Sequence, residues 1–196
     1  MRRQKSAEKN KGFSLVELII VIAVISILST GIILGTGRIA NWQLNKTTQA
    51  VNSALHSAMV QAMSKGNVSG VIFYELDEKY YASIITESCE TASGGVYQLD
   101  DTKVVNTINL GKEPVTIVFH LKTLAGFPAA PVQLTNQSDK MNMTSAVEVM
   151  YNRSSGAVKK KMIGTDECNF DSIDISNGSS TQTIRIYAAT GRHEIQ

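Results

Sequence analysis

The chain has 196 residues, 43% of them hydrophobic, and a formal net charge of +2. This length is enough for one globular domain with an anchor, and it excludes two full domains. The small net charge says nothing about nucleic-acid binding. Five basic residues and one acidic residue give positions 1–12 a net charge of +4, so the remainder carries −2.

The basic leader, residues 1–12, is followed by an apolar segment over residues 13–34 in which Glu17 is the one charged residue. As a helix this segment would be roughly 33 Å long, enough to cross a bilayer core of about 30 Å. We therefore predict a transmembrane helix over residues 13–37. The positive charges before it predict a cytoplasmic N terminus and an exported C-terminal part.

From residue 39 to Lys65 the pattern becomes amphipathic, and a continuous helix over residues 13–65 is predicted. Gly66 and Asn67 favour its end, since both tolerate the left-handed conformation that follows a helix. Trp42 has two interpretations, an anchor at the membrane surface or a contact with the globular domain. The inner face predicted for the amphipathic part consists of Leu44, Thr48, Val51, Leu55, Ala58, Met59 and Ala62.

After Asn67 the hydrophobic period changes to two, which is typical of strands. The predicted fold class is α+β, with one long N-terminal helix packed on an antiparallel sheet of six or seven strands. Residues 38–196 would form the exported domain, with turns at Asp77-Glu78 and at Ser154 to Gly156. The predicted strands cover residues 68–76, 79–85, 104–110, 115–120, 146–151, 157–162 and 183–187.

No catalytic, cofactor-binding or metal-binding constellation is predicted, because the three histidines fall in different elements and the cysteines lack zinc-site spacing. Cys89 and Cys168 have two interpretations, a disulfide in an oxidising exterior or two buried thiols. The run Lys159 to Lys161 likewise indicates either a solvated strand or turn, or a patch that contacts DNA.

The segment Lys11-Gly12-Phe13-Ser14-Leu15-Val16-Glu17-Leu18 resembles the type IV prepilin signature. The resemblance implies that prepilin peptidase cuts between Gly12 and Phe13 and N-methylates Phe13. It also implies that Glu17 contacts the N-terminal amine of a neighbouring subunit and guides assembly. The alternative for Glu17 is a protonated or snorkelling side chain at the membrane surface.

The resemblance implies a pilin-like fold and a structural, non-enzymatic subunit of a type IV pilus, a type II secretion pseudopilus or a competence pilus. Such a subunit lies in the inner membrane, and at the cell surface or in the periplasm once assembled. Its partners would be prepilin peptidase, other subunits and the membrane, with DNA or a secreted substrate as a weaker expectation. Residues 50–71 and 184–192 resemble the GspH/FimT pseudopilins, while another minor or major pilin, a displayed binding module and a non-assembling signal-anchor protein stay open.

Overall fold

A computed structural model describes residues 14–91, 95–112, 114–124, 126–163 and 166–196, without the side chains of residues 27–39, 65, 162, 163 and 166. The predicted leader, residues 1–12, and Phe13 lie outside the described residues. The chain forms two compact units, Met1–Ile39 and Ala40–Gln196.

One helix, α1, spans Leu15–Lys65. It ends where Gly66 adopts a left-handed φ of 61°, which confirms the predicted helix end. Of the predicted transmembrane segment, only positions 14–26 have described side chains. Among the described residues, no helix is both long and apolar enough to cross a membrane.

Eleven strands follow the helix among the described residues, together with one short 3₁₀ helix at Asp101–Lys103. The strands are β1 (Gly70–Leu76), β2 (Lys79–Ile85), β3 (Val104–Lys112), β4 (Thr116–Thr123), β5 (Val132–Gln133), β6 (Asn136–Gln137), β7 (Val147–Met150), β8 (Lys161–Ile163), β9 (Asp166–Ser176), β10 (Thr181–Tyr187) and β11 (Arg192–Ile195).

The strands form two sheets rather than the one sheet that was predicted. The first has the order β3-β2-β1-β6, with β7 also paired to β1, and the second has the order β11-β10-β9-β4-β5, with β8 paired to β9. All strand pairs are antiparallel except β1 with β6. The α+β class is confirmed, whereas the single sheet of six or seven strands is wrong.

Strands β1, β2, β3, β4, β7 and β10 lie close to their predicted positions, and β9 was missed altogether. The predicted strand 157–162 was largely wrong, because only a bridge from Tyr151 to Val158 and the start of β8 form there. This bridge closes the predicted turn at Ser154 to Gly156. Residues 157–163 therefore run from the edge of β7 in the first sheet to β9 in the second.

The main core lies between the C-terminal part of α1 and the two sheets. Leu44, Val51 and Leu55 of the helix are at most 2% exposed and belong to one cluster with residues such as Phe73 and Phe119. Every residue predicted for the inner face is buried except Met59, which is partly buried. Thus the amphipathic pattern correctly identified the face that packs on the sheets.

The first sheet is covered on both faces. Side chains alternate along a strand, so Val71 and Phe73 of β1 face the main core while Ile72 and Tyr74 face the opposite side. On that opposite side a second apolar cluster includes Ile72, Tyr74, Ile85, Cys89, Tyr97, Leu99, Met143 and Ala146. The chain between β2 and β3 contributes to this second cluster.

Candidate functional site

The N terminus of α1 is capped by Ser14. The Ser14 hydroxyl accepts a hydrogen bond from the backbone N–H of Glu17 at 3.2 Å, and its carbonyl accepts one from Leu18 N–H at 3.2 Å. Ser14 and Glu17 thus have the Ser-x-x-Glu spacing that is typical of a helix start. Ser14 was not among the predicted functional residues, although this spacing is visible in the sequence at the start of the apolar segment.

Glu17 lies in the first turn of the helix and is exposed within its unit. The unsatisfied N–H groups there carry partial positive charge, so a carboxylate at this position is stabilised by roughly 0.3–1 kcal/mol. Gly12 and Phe13, the residues predicted for cleavage and N-methylation, lie outside the described residues. The structure therefore describes one of the three predicted processing and assembly residues.

The side chains after Glu17 present apolar surface around the whole helix. Nine large hydrophobic residues between Leu15 and Ile25 are 49% to 76% exposed within the chain. A helix that is apolar on all sides is normally buried in lipid or in a larger assembly. The described part of the N-terminal unit thus offers an extended surface for membrane or helix contacts.

Trp42 lies in the second unit and is 62% exposed. The ammonium of Lys46, one turn further along α1, lies 5.3 Å from the centre of its ring. This exposure does not fit the interpretation in which Trp42 is buried against the globular domain, and it leaves the interfacial anchor as a prediction.

The run Lys159 to Lys161 lines a cleft of about 310 Å³ at the junction of the two sheets. Lys159 is exposed, Lys160 forms a 3.0 Å ion pair with Glu167, and Lys161 is partly buried with its ammonium 4.6 Å from the centre of the Tyr97 ring. Lys161 also donates a hydrogen bond to the Tyr97 hydroxyl. The three lysines therefore do not form the uniformly solvated run of the simpler interpretation.

Glu148 lies on the inner wall of the same cleft and is 5% exposed. Its carboxylate accepts a 2.9 Å hydrogen bond from the Ser88 hydroxyl and a 3.4 Å one from Cys89 N–H. Glu148 was not among the residues predicted for a functional site. In Val147-Glu148-Val149 the alternation indicates a solvent-facing carboxylate, and no sequence signal reveals that the chain after β2 covers it.

Burial shifts the pKa values of ionisable groups in and beside this cleft. Burial raises the pKa of Glu148 to about 7, because desolvation outweighs the hydrogen bonds from Ser88 and Cys89, and the nearby Glu90 raises it further. Burial also raises the pKa of the Cys89 thiol to about 11 and lowers the pKa of Lys161. Cys89 is therefore a protonated, unreactive thiol at neutral pH.

The two cysteines are buried thiols and do not form the candidate disulfide. Cys89 belongs to the second apolar cluster and Cys168 to the main core. These clusters lie on opposite faces of the first sheet, which separates the two sulfurs. The disulfide interpretation is thus corrected to the alternative of two thiols.

The three histidines do not come together into a candidate metal site. His120 contacts Asp174 at 3.0 Å on the second sheet, while His56 and His193 stack edge to face at 6.1 Å between ring centres. Within the described part of the chain, no group of three or more metal-ligating side chains is placed to hold an ion.

Comparison with known proteins identifies the N-terminal segment. Residues 8–33 match the model of the prokaryotic N-terminal methylation motif. This match includes Gly12, Phe13 and Glu17, and the chain therefore carries the signal of type IV pilins and pseudopilins. No curated protein and no solved structure matches the chain. The motif indicates a pilin-like subunit anchored in the inner membrane, processed by prepilin peptidase and assembled with other subunits.

Proposed function

We propose that this chain, which carries a pilin-type methylation motif, is a minor pilin or pseudopilin. The proposal rests on one observation above all, the apolar side chains between Leu15 and Ile25 that are 49% to 76% exposed directly after the motif's cleavage position. Lipid would cover this surface before assembly, and the helices of neighbouring subunits would cover it in the filament.

Processing would begin with cleavage of the bond between Gly12 and Phe13. Cleavage removes the leader, with its net charge of +4, and frees the amine of Phe13, which is then N-methylated. The chain that remains would start one residue before the Ser14 cap of α1. The transmembrane helix over residues 13–37 and the exported domain over residues 38–196 belong to this proposal.

Glu17 would then direct assembly through a charge interaction. Its carboxylate, in the first turn of an apolar helix, forms no ion pair with another described residue of the chain. An unpaired carboxylate is costly inside a membrane, so a neighbouring subunit's methylated amine would be a favourable partner. The interaction would set the axial position of one helix against the next.

Replacing Glu17 tests this assembly role. We expect Glu17→Ala and Glu17→Gln to be processed normally but to reduce the sheared filament fraction at least about tenfold, the effect of losing roughly 1.4 kcal/mol per contact. Gln49→Ala, an exposed substitution on the same helix, serves as the matched control. Assembly of Glu17→Ala at the wild-type level would refute the charge interaction.

Mass spectrometry of the assembled protein tests the processing step separately. We expect an N-terminal methyl-Phe13 and no peptide that begins at Met1. A protein that retains residues 1–12 in the membrane would instead be the non-assembling signal anchor. The two experiments distinguish failure of cleavage from failure of assembly.

The proposal also concerns the filament system in which the subunit works. A pilus, a type II secretion pseudopilus and a competence pilus all place such a subunit in the inner membrane first, and then in the periplasm or at the cell surface. Deleting the gene and measuring secretion, surface filaments and DNA uptake in parallel would assign the machine by which of the three is lost.

The DNA-binding alternative has less support. Of the lysines in the run, Lys160 is paired with Glu167 and Lys161 is partly buried, while Glu90 and Glu148 line the same cleft. These acidic groups oppose phosphate binding. Salt-dependent binding of duplex DNA by the full chain in detergent, abolished by Lys159→Ala, would favour this alternative.

A further inference from the structure

The chain that follows β2 contacts the outer face of the first sheet through the carboxylate of Glu148. It is also held by a hydrogen bond from Thr86 N–H to the Lys103 carbonyl and by an ion pair between Glu87 and Lys103. Glu148 extends from the short strand β7, opposite Ile72 of β1, and accepts hydrogen bonds from Ser88 and Cys89. Segment 86–91 thus crosses the sheet at Glu148. We use the name "crossing segment" for these residues.

The polar groups around Glu148 are satisfied largely by one another. Glu90 accepts a 3.1 Å hydrogen bond from Gly95 N–H, Lys160 pairs with Glu167, and Lys161 contacts Tyr97. A binding cleft would instead point unsatisfied groups at its ligand. The arrangement therefore has the character of a fastening between the crossing segment and the sheet.

We propose that ionisation of Glu148 releases the crossing segment from the first sheet, so that the surrounding pH controls the exposure of the second apolar cluster. At low pH the carboxyl group is neutral and tolerates burial. At higher pH it becomes a buried anion, and the hydrogen bonds from Ser88, Cys89 and the Glu90 backbone do not offset its desolvation. Moving the crossing segment outward lets water reach the charge.

The charges facing Glu148 favour this direction of change. The pKa of Glu148 is raised to about 7 chiefly by desolvation, and the charge of Glu90 on the crossing segment raises it further, although the Glu90 backbone N–H lowers it by a hydrogen bond. The lysines of the opposite wall do not offset the desolvation, and Lys161 itself has a lowered pKa because of burial. The remaining charged or titratable groups near this segment are Glu87, Cys89, Asp100, Lys103, Lys159 and Lys160.

Opening would uncover Cys89, which is 3% exposed in the closed arrangement, together with the apolar side chains packed around it. Cys168 lies in the main core on the other side of the sheet and would stay covered. The two thiols therefore act as a built-in pair of reporters, one for opening of the crossing segment and one for unfolding of the whole domain.

The experiment measures thiol labelling of the full chain in detergent at pH 5.5 and pH 8.5, with the Cys89 rate divided by the Cys168 rate. We expect this ratio to rise on the order of tenfold in the wild type, because the open state ionises at an ordinary carboxylate pKa and the closed state near 7. The same ratio should be nearly flat in Glu148→Gln. Glu167→Gln, an exposed carboxylate paired with Lys160, should behave as the wild type.

The ratio of labelling rates in the wild type tests the proposal even if Glu148→Gln does not fold. A wild-type ratio that stays constant between the two pH values overturns the proposal, as does a rise that persists in folded Glu148→Gln. Glu90→Gln provides a second variant and should reduce the rise, because it removes one repulsion from the closed state. These outcomes are independent of filament assembly, so they do not depend on the proposed function.

Discussion

At the scale of single residues, Glu148 combines a buried carboxylate with apolar neighbours on a strand of four residues, β7. Its pKa of about 7 in the folded state lies above the ordinary value of 4.5. The folded state therefore binds more protons than the unfolded state between these values. Stability contributed by this group is present below pH 4.5 and is lost as the pH rises towards 7.

This linkage predicts the effect of Glu148→Gln on global stability. At pH 8 the variant should be more stable than the wild type by up to about 3 kcal/mol, whereas at pH 4.5 the two should differ much less, since the wild-type carboxyl group is then largely neutral. Urea unfolding at both pH values measures the difference. A variant that is less stable by the same amount at both pH values would contradict this prediction.

Ser14 supports a second prediction at this scale. Ser14→Ala removes the acceptor for Glu17 N–H, so the first turn of α1 should lose roughly 1 kcal/mol. Amide hydrogen exchange at Glu17 and Leu18 should accelerate several-fold in the full chain in detergent. Ser53→Ala, at an exposed position in the interior of the helix, is the control and should leave these amides unchanged.

Candidate roles for residues near the N terminus could be assigned from the sequence, because the signature that suggests them depends on sequence order alone. Gly12, Phe13 and Glu17 stand at fixed distances from the start of an apolar helix, and no tertiary contact is needed to identify them. Glu148 depends instead on a contact with Ser88, 60 residues away. Its surroundings are a property of the folded chain, which explains why the local pattern gave no indication.

At the scale of elements, β9 shows why a central strand escaped prediction. Its buried positions are Cys168 and Phe170, and then Ile173 and Ile175, so the alternation slips by one residue. The pairing with β4 has a register shift at the same place, between His120 and Leu121. A strand with such a bulge has no continuous period of two, and its outward carboxylates further resemble a loop.

The turns after β7 and β10 pack against each other. Val158 N–H donates to the carbonyl of Ala188 at 2.8 Å, and Gly191 approaches the carbonyl oxygen of Gly156 so closely that a Cβ there would overlap it. Gly191 also has a left-handed φ of 69°. The contact joins the connection between the two sheets to the hairpin of β10 and β11.

Gly191→Ala tests this contact between turns. The variant should lose about 3 kcal/mol, from the left-handed backbone and the overlap together. Gly178→Ala is a matched control, since Gly178 has a φ of 82° and nothing within 4 Å of its added Cβ. That control should lose only about 1 kcal/mol. Equal losses by thermal unfolding would mean that the contact contributes nothing.

At the scale of the whole molecule, the two compact units differ in how they bury apolar residues. The buried core begins at Leu44 and belongs to the unit Ala40–Gln196, whereas the described large apolar side chains of Met1–Ile39 are exposed. The sequence changes from all-round apolar to amphipathic periodicity near the boundary between these units. The division of the strands into two sheets was not predictable, because it depends on which strands pair over long distances.

This division predicts that residues 40–196 fold without the first 39 positions. The fragment should remain monomeric without detergent and unfold cooperatively, with a melting temperature within a few degrees of that of the full chain in detergent. The same fragment with Leu55→Ala, which removes a buried side chain of α1, should be about 3 kcal/mol less stable. An aggregated or molten fragment would place part of the core in the N-terminal unit.

The double-sided burial of the β1–β2 hairpin has a consequence for accuracy during folding. Asp77 and Glu78 close the hairpin with φ values of 51° and 59°, and every following pair, from Leu76 with Lys79 to Gly70 with Ile85, is thereby aligned. A slip by one residue would exchange the side chains of two different apolar clusters, instead of exposing one of them. The turn thus helps to select the correct register. In a misaligned hairpin the side chains would fit neither of the two apolar clusters.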